Sequence, residues 1–399
     1  MKSLAHHHLH WQRRHGGTPI SNFWLFELST LLHMVGYSVV SIFIPILLLQ
    51  NGYPLRDILW FYVLFNGLDV PLNFFADWLT RRIGARLVVA VGTVACITML
   101  SLLLVAAHSW AILILFAIFA AFYDTLYWVA HLYLFIKAEA HGEVAIEEDR
   151  AILTSVGIIG TLLGPMIGGM LLIFGTHASV LSASITFLFF SLLPLFYMHR
   201  IADKPTTAFL PPRKFFALHE ERRNWLYFFL YCFHDPVEYI LWPIFIYLTF
   251  GSVTSVAVLA VLAGWSSAVF SYFVGKQSQR HYTVMVLVGS LCIALVWLAR
   301  IYIHNADFYY PSIIVMTFLA LITTVPIEGS IAHRAREREA LSAMTYRNTS
   351  TMLPRFILFL ILALMVNVFQ VGFDIAIFGV VLLSVASTVV LRKELTIKG

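Results

Sequence analysis

Long apolar stretches alternate with short polar breaks along the whole chain. About twelve of these stretches run for roughly 18–27 residues, long enough to cross a bilayer as helices. They fall near 23–50, 58–76, 87–107, 110–136, 151–174, 178–199, 225–249, 253–274, 282–303, 309–332, 351–370 and 373–391. Some breaks are only a few residues, such as Ala107-His108-Ser109 and Gly175-Thr176-His177. The longest break, 200–224, holds Pro205, Pro211, Pro212 and a cluster of basic residues, and it follows the sixth stretch. The pattern predicts an all-α membrane protein. Two six-helix bundles, 23–199 and 225–391, flank a polar linker at 200–224, with tails at 1–22 and 392–399. No polar stretch is long enough for a soluble catalytic domain.

Composition agrees. Of 399 residues, 60% are hydrophobic and 12% charged, with a mean hydropathy of +0.83. Soluble domains are about a quarter charged. The chain has 26 Lys and Arg residues. If the N-terminus is cytoplasmic, all of them except Arg56 and Arg300 fall on the inner side. Basic loops stay in the cytoplasm, so both termini and the linker are expected there, in the plasma or inner membrane. The net charge of +5 is spread over many short loops and calls for no nucleic-acid partner. Cys96, Cys232 and Cys292 lie in apolar runs without CxxC spacing and read as buried free thiols. The segment from His6 to His15 either binds a metal or is an incidental tail. The first stretch is too long for a signal peptide and should remain in place.

Two motifs carry further information. The fifth stretch contains Gly160-Thr-Leu-Leu-Gly164-Pro165-Met-Ile-Gly168-Gly169. Glycines and proline are costly in an ordinary helix. Inside lipid, small residues at this spacing make a smooth stripe for a close helix neighbour. Between the second and third stretches runs Asp77-Trp-Leu-Thr-Arg81-Arg82-Ile-Gly84-Ala-Arg86, with a weaker echo at Gly275-Lys276-Gln-Ser-Gln-Arg280.

With its six-plus-six layout, these motifs give the chain a resemblance to the major facilitator superfamily over nearly its whole length. The loop is similar to that family's G-x3-D-R-x-G-R-R sequence, with Asp77 at the leading glycine position and Arg81 at the aspartate position. Gly160, Gly164, Pro165, Gly168 and Gly169 match its fifth-helix motif, which is commonest in proton-coupled antiporters. The resemblance implies that Asp77, Arg81, Arg82 and Arg86 act in gating and the glycines in helix packing. It implies alternating access between two halves, with spans one, four, seven and ten lining a cavity. The exporters of the family carry an Arg in span four. Here that span reads Ala120-Ala121-Phe122-Tyr123-Asp124-Thr125-Leu126-Tyr127-Trp128, with a carboxylate instead. The departure implies a different coupling arrangement or a cationic substrate.

Ionisable side chains at membrane depth are functional candidates by default. Glu27 and His33 lie in span one. Asp69 lies in span two beside Pro71, as a cavity group or a packing contact. Asp124 has Tyr127, Trp128 and His131 at helical spacing. His234, Asp235 and Glu238 cluster in span seven beside Pro236, with Trp242 on the face of Glu238. His234 and Glu238 could hold a metal ion, but groups on one helix are a weak ligand set. Asp124 and the span-seven cluster are expected to face one another across the cavity. Glu328 is expected to pair with Arg334 or Arg336, and Asp374 to cap span twelve. Arg355 reads equally as a snorkelling surface anchor. The acidic run Glu147-Glu148-Asp149-Arg150 is either an inner gate or a solvated charge run.

No Walker A, G-x-S-x-G or H-E-x-x-H sequence occurs, so neither an enzyme nor a cofactor is expected. The reading is a secondary transporter for a small organic solute, coupled to protons because His and carboxylates occur together. Uncoupled transport and a non-transporting receptor are the alternatives. The expected partners are the solute, the proton and the lipid bilayer, and the expected state is a monomer.

Overall fold

The computed structural model describes residues 22–105, 109–139, 160, 163–198, 204–205, 207–277 and 282–398. The His-rich tail, the first part of span five and the Glu147–Arg150 run lie outside them. Helices account for nearly all the described chain. Before the linker, α1 spans Asn22–Val40 and continues through a 3-10 turn, Ser41–Phe43, into Ile44–Gln50. Then come α2 (Leu55–Ile83), α3 (Ala85–Val105), α4 (Trp110–Glu139), α5 (Leu163–Phe174) and α6 (His177–Tyr197). After it, α7 is built from His219–Tyr231, a π-helical turn at Val237–Leu241, and Trp242–Phe250. It is followed by α8 (Val253–Gln277), α9 (Tyr282–Tyr302), α10 (Ala306–Glu337), α11 (Ala340–Leu364) and α12 (Val368–Lys398). Nine helices among the described residues are long and apolar enough to cross a membrane. The protein is an all-α, multi-pass membrane protein.

Local chemistry sets the helix ends. Thr176 and Ser179 form a capping box at the start of α6. Asn305 accepts from the Asp307 amide at 3.0 Å to open α10. Glu339 accepts from the Ser342 amide at 2.5 Å to open α11. A single residue, Gly84, joins α2 to α3 at φ 99°, a conformation that favours glycine.

Several boundaries differ from the sequence expectation; α2 runs on to Ile83 rather than 76, and α12 to Lys398 rather than 391, through most of the expected tail. Span eleven begins at Ala340, not near 351. Its first turns, rich in Ser, Thr and Asn, are too polar to read as apolar, yet they are buried against other helices. Asp374 does not cap α12, which starts at Val368; it accepts from Gln370 Nε2 at 3.2 Å one turn into the helix. Part of the break at 200–224 is helical, in a single turn at Pro212–Phe215 and in α7 from His219.

The same neighbour pattern occurs on both sides of the linker. Helix α4 packs on α2 and α3, and α3 on α6; correspondingly α10 packs on α8 and α9, and α9 on α12. Repeated packing of this kind is how transporters are built from structural repeats. The seam between the two groups runs along α2 and α11, with α4 also against α11 and α1 against α8.

The glycines at 160–169 allow close packing, three of them against α1 of the same group and one across the seam. A Cβ on Gly160 would lie 2.7 Å from Met34 Cβ of α1. One on Gly164 would overlap Ser38, and one on Gly168 the Val39 carbonyl. Gly169 faces the other way, 2.7 Å from Ala257 Cβ of α8. A Gly168→Leu change is therefore expected to leave membrane insertion intact but lower stability by about 1–3 kcal/mol through overpacking, and to lower transport. Thermal unfolding in detergent checks this; wild-type stability with leucine at 168 contradicts close packing on α1.

Candidate functional site

A cavity of about 480 Å³ opens between the two groups of helices. Its wall takes Tyr37 and Ser38 from α1, Tyr62 from α2, Asp124 from α4, Pro165 from α5, Tyr239 from α7, Ser267 from α8, Thr317 from α10 and Arg355 from α11. Size and lining are those of a small-molecule site, apolar with a few convergent polar groups.

Asp69 and Asp124 form the polar centre. Asp69 is fully buried. Its Oδ1 accepts from Asn73 Nδ2 at 2.8 Å. Its Oδ2 has no hydrogen-bond partner among the described residues, and the Asp124 carboxyl lies beside it. Asn348 of α11 donates to Asn73 Oδ1 at 2.7 Å and approaches Asp124 Oδ2 at 3.4 Å. Two buried carboxyls side by side do not readily both ionise, so the pair is a place where a proton can be held. Helices α2, α4 and α11 thus meet at one pair of carboxyls and two amides.

Arg355 faces this pair from α11. Its guanidinium is ion-paired with Asp235 of α7, so it is not a surface anchor. Its neighbour Arg347 pairs with Glu328 at 2.6 Å. Glu328 therefore does not take Arg334, which instead meets Glu220 at 3.0 Å.

The other candidates separate into two clusters away from the cavity wall. Between α1 and α4, the His33 ring stacks on Tyr127 with centroids 3.6 Å apart, and Tyr127 on His131 at 5.0 Å. His33 Nε2 lies 3.1 Å from the Tyr123 hydroxyl, and His131 Nε2 lies 3.0 Å from Thr30 Oγ1. Glu27 is buried on the same helix. The expected single face of Asp124, Tyr127, Trp128 and His131 is thus divided: Asp124 lines the cavity, while Tyr127 and His131 pack on α1. The turn at 232–234 and the π-helical segment likewise divide the span-seven cluster. Only Asp235 reaches across towards Asp124, through Arg355. His234 Nδ1 accepts from Trp297 Nε1 at 2.9 Å. Glu238 binds Arg300 with both oxygens, at 2.5 and 3.2 Å. Arg300 has a fully buried side chain, donates to Ser312 at 2.9 Å, and lies 4.2 Å above the Trp242 ring. The positive-charge count placed Arg300 on the outer side; it closes an ion pair inside the helices after the linker.

At the linker end of the seam, Asp77 and Arg81 pair at 2.5 Å, one turn apart on α2. Arg81 also reaches Glu339 at 3.1 Å, and Asp77 accepts from Thr345 at 3.1 Å. The linker ties into the same group. Thr207 donates to Glu339 at 3.0 Å, and the Leu210 amide donates to Ser342 at 3.1 Å. Arg82 and Arg86 stay on their own side, over Trp78 and on the Met198 carbonyl. Sequence reading missed Glu339, Thr345, Asn348 and the roles of Arg300 and Arg355. Four of these five lie at or on α11, whose polar first turns hid its start.

The sequence model of the Major Facilitator Superfamily matches residues 26–233. No curated protein matches the sequence. Among solved structures, the human organic anion transporter MFSD10 (TETRAN) is similar with a TM-score of 0.62 at 14% identity, over 94% of this chain and 99% of that one. A POT family transporter, solved in complex with a thioalcohol-conjugated peptide, is similar with a TM-score of 0.70 at 11% identity, over 97% of this chain and 99% of that one. At these identities the structures show a shared fold. The family match covers more than half of the sequence, and the helix arrangement agrees with it: the chain belongs to the Major Facilitator Superfamily.

Proposed function

We propose that the protein is a secondary active transporter that moves a small organic solute by alternating access and couples it to protons. The observation that carries this reading is the buried Asp69–Asp124 pair, which reaches the cavity wall at Asp124 and is joined through Asn348 to the opposite half. A proton held there is exchangeable with the cavity. Its binding changes the charge at the seam about which the halves rock. The Asp77–Arg81–Glu339–Thr345 group is the gate on the linker side. Opening that side requires those contacts to break. His33 and His131, Trp242, and the Glu238–Arg300 pair hold the helices that carry the cavity. Both similar structures are transporters by their descriptions, which favours transport over a receptor role.

The test is a thermal-shift ligand screen on purified protein, followed by uptake into proteoliposomes with and without a pH gradient. Accumulation only with the gradient supports coupling. Equal uptake in both conditions means facilitated transport.

The linker and both termini are proposed to be cytoplasmic, from the distribution of Lys and Arg. A cysteine at Ser109 is expected to react with a membrane-impermeant reagent on intact cells, and one at Lys204 is not. The reverse labelling would invert the topology and place the gate outside.

A further inference from the structure

We infer that the solute is a monovalent organic cation with an apolar or aromatic body. This rests on reading the central cavity as the solute site. The charges near the cavity can be paired off. Arg355 is neutralised by Asp235, and Arg347 by Glu328. The remaining charge belongs to Asp69 and Asp124, which accept from the Asn73 and Asn348 amides and share with Asp235 the nearby guanidinium of Arg355. If the pair holds one proton, as the proposed function has it, it keeps one negative charge beyond the Arg355–Asp235 pair. Among the described residues on the wall, Asp124 is the one carboxylate and Arg355, already paired, the one cation. An anionic solute would have to take Arg355 from Asp235 and lie beside an uncompensated carboxylate. A cation meets a carboxylate whose nearby cation, Arg355, is already ion-paired with Asp235.

The wall also fits such a body. Tyr37, Phe61, Tyr62, Phe65, Tyr123 and Tyr239 surround the space. Aromatic faces attract a desolvated cation without needing a second fixed charge. The volume of about 480 Å³ lies within the usual range of about 300–1,000 Å³ for small-molecule sites. Ser38, Ser41, Ser267 and Thr317 add neutral polar contacts. The charge argument and the aromatic lining are independent and point to the same class.

Equilibrium dialysis on the full chain in detergent tests this without any gradient. The probes are benzyltrimethylammonium and tetraphenylphosphonium, with tetraphenylborate as the anion of matching shape. At least one cation is expected to bind saturably at one site, and tetraphenylborate to show only the linear partitioning seen with empty micelles. Asp124→Asn is expected to weaken cation binding roughly tenfold or more, as one charge-assisted contact is lost. If that variant does not purify as a folded protein, the three probes on the wild type decide. Saturable binding of tetraphenylborate, binding of neither cation, or cation binding unchanged in a folded Asp124→Asn variant overturns the inference. The two proposals fail separately. Cation binding without pH-driven accumulation removes the coupling and keeps the solute class. A pH-driven accumulation of anions keeps the coupling and removes the class.

Discussion

Arg300→Met is expected to lower the unfolding free energy by about 3–5 kcal/mol, the cost of leaving one partner of a buried ion pair without the other. The guanidinium side chain is fully buried and held by Glu238, Ser312 and the ring of Trp242. Removing it strands the buried Glu238 carboxylate where the guanidinium stood over Trp242 and Trp297. The double variant Arg300→Met, Glu238→Leu is expected to recover most of the loss, because apolar residues of similar volume often replace a buried pair at little cost. Denaturant titration of the purified single and double variants measures the coupling. Two single variants that each lose little, with additive effects, would show that the pair contributes nothing. The result matters for function because Glu238 sits in the π-helical turn that separates Asp235 from the rest of α7. A π-turn of this kind is a local distortion that often marks a functional element. The ion pair is the evident brace holding it, and with it the partner of Arg355.

Asp124→Asn is expected to abolish accumulation driven by a pH gradient while leaving solute counterflow measurable. Asparagine keeps the size of the side chain and a hydrogen bond to Asn348. It cannot take up or give up a proton. Asp69→Asn is expected to behave in the same way, because the proton belongs to the pair and not to either residue. Counterflow needs only binding and the rocking of the halves, so its survival separates lost coupling from lost folding. Proteoliposome uptake with a defined internal and external pH is the measurement. Wild-type accumulation with an unchanged pH profile in both variants would place the coupling group elsewhere.

Much of the fold was legible because lipid imposes length and composition on each helix. Among the described residues, apolar runs located most helix ends to within a few residues, with misses of five to seven at ends of α2, α7, α10, α11 and α12. The largest miss, the start of α11, shows the limit. Its first turns, Ala340 to Ser350, face other helices rather than lipid, so they tolerate Thr345, Asn348 and Ser350. Hydropathy reads lipid exposure, and a helix end buried in protein escapes it. The site was legible by type but not by partner. Asp69 and Asp124 stood out as carboxylates at membrane depth. Nothing in the spacing could bring them together, because they lie on different helices. Arg300 was assigned by position along the chain, near a helix end, whereas its role depends on which way the side chain turns. The face shared by Asp124 and His131 was drawn on an ideal helix. In the folded protein the neighbours divide that face, with α1 taking the histidine and the cavity taking the aspartate.

The central claim is that solute movement carries protons through the Asp69–Asp124 pair. The most direct measurement is the internal pH of proteoliposomes, read with an entrapped dye, after a solute gradient is imposed across protein of known amount. The account predicts a pH change that follows the solute gradient in sign and size, absent from liposomes without protein and from Asp124→Asn. Solute flux through the wild-type protein with no change in internal pH would contradict it.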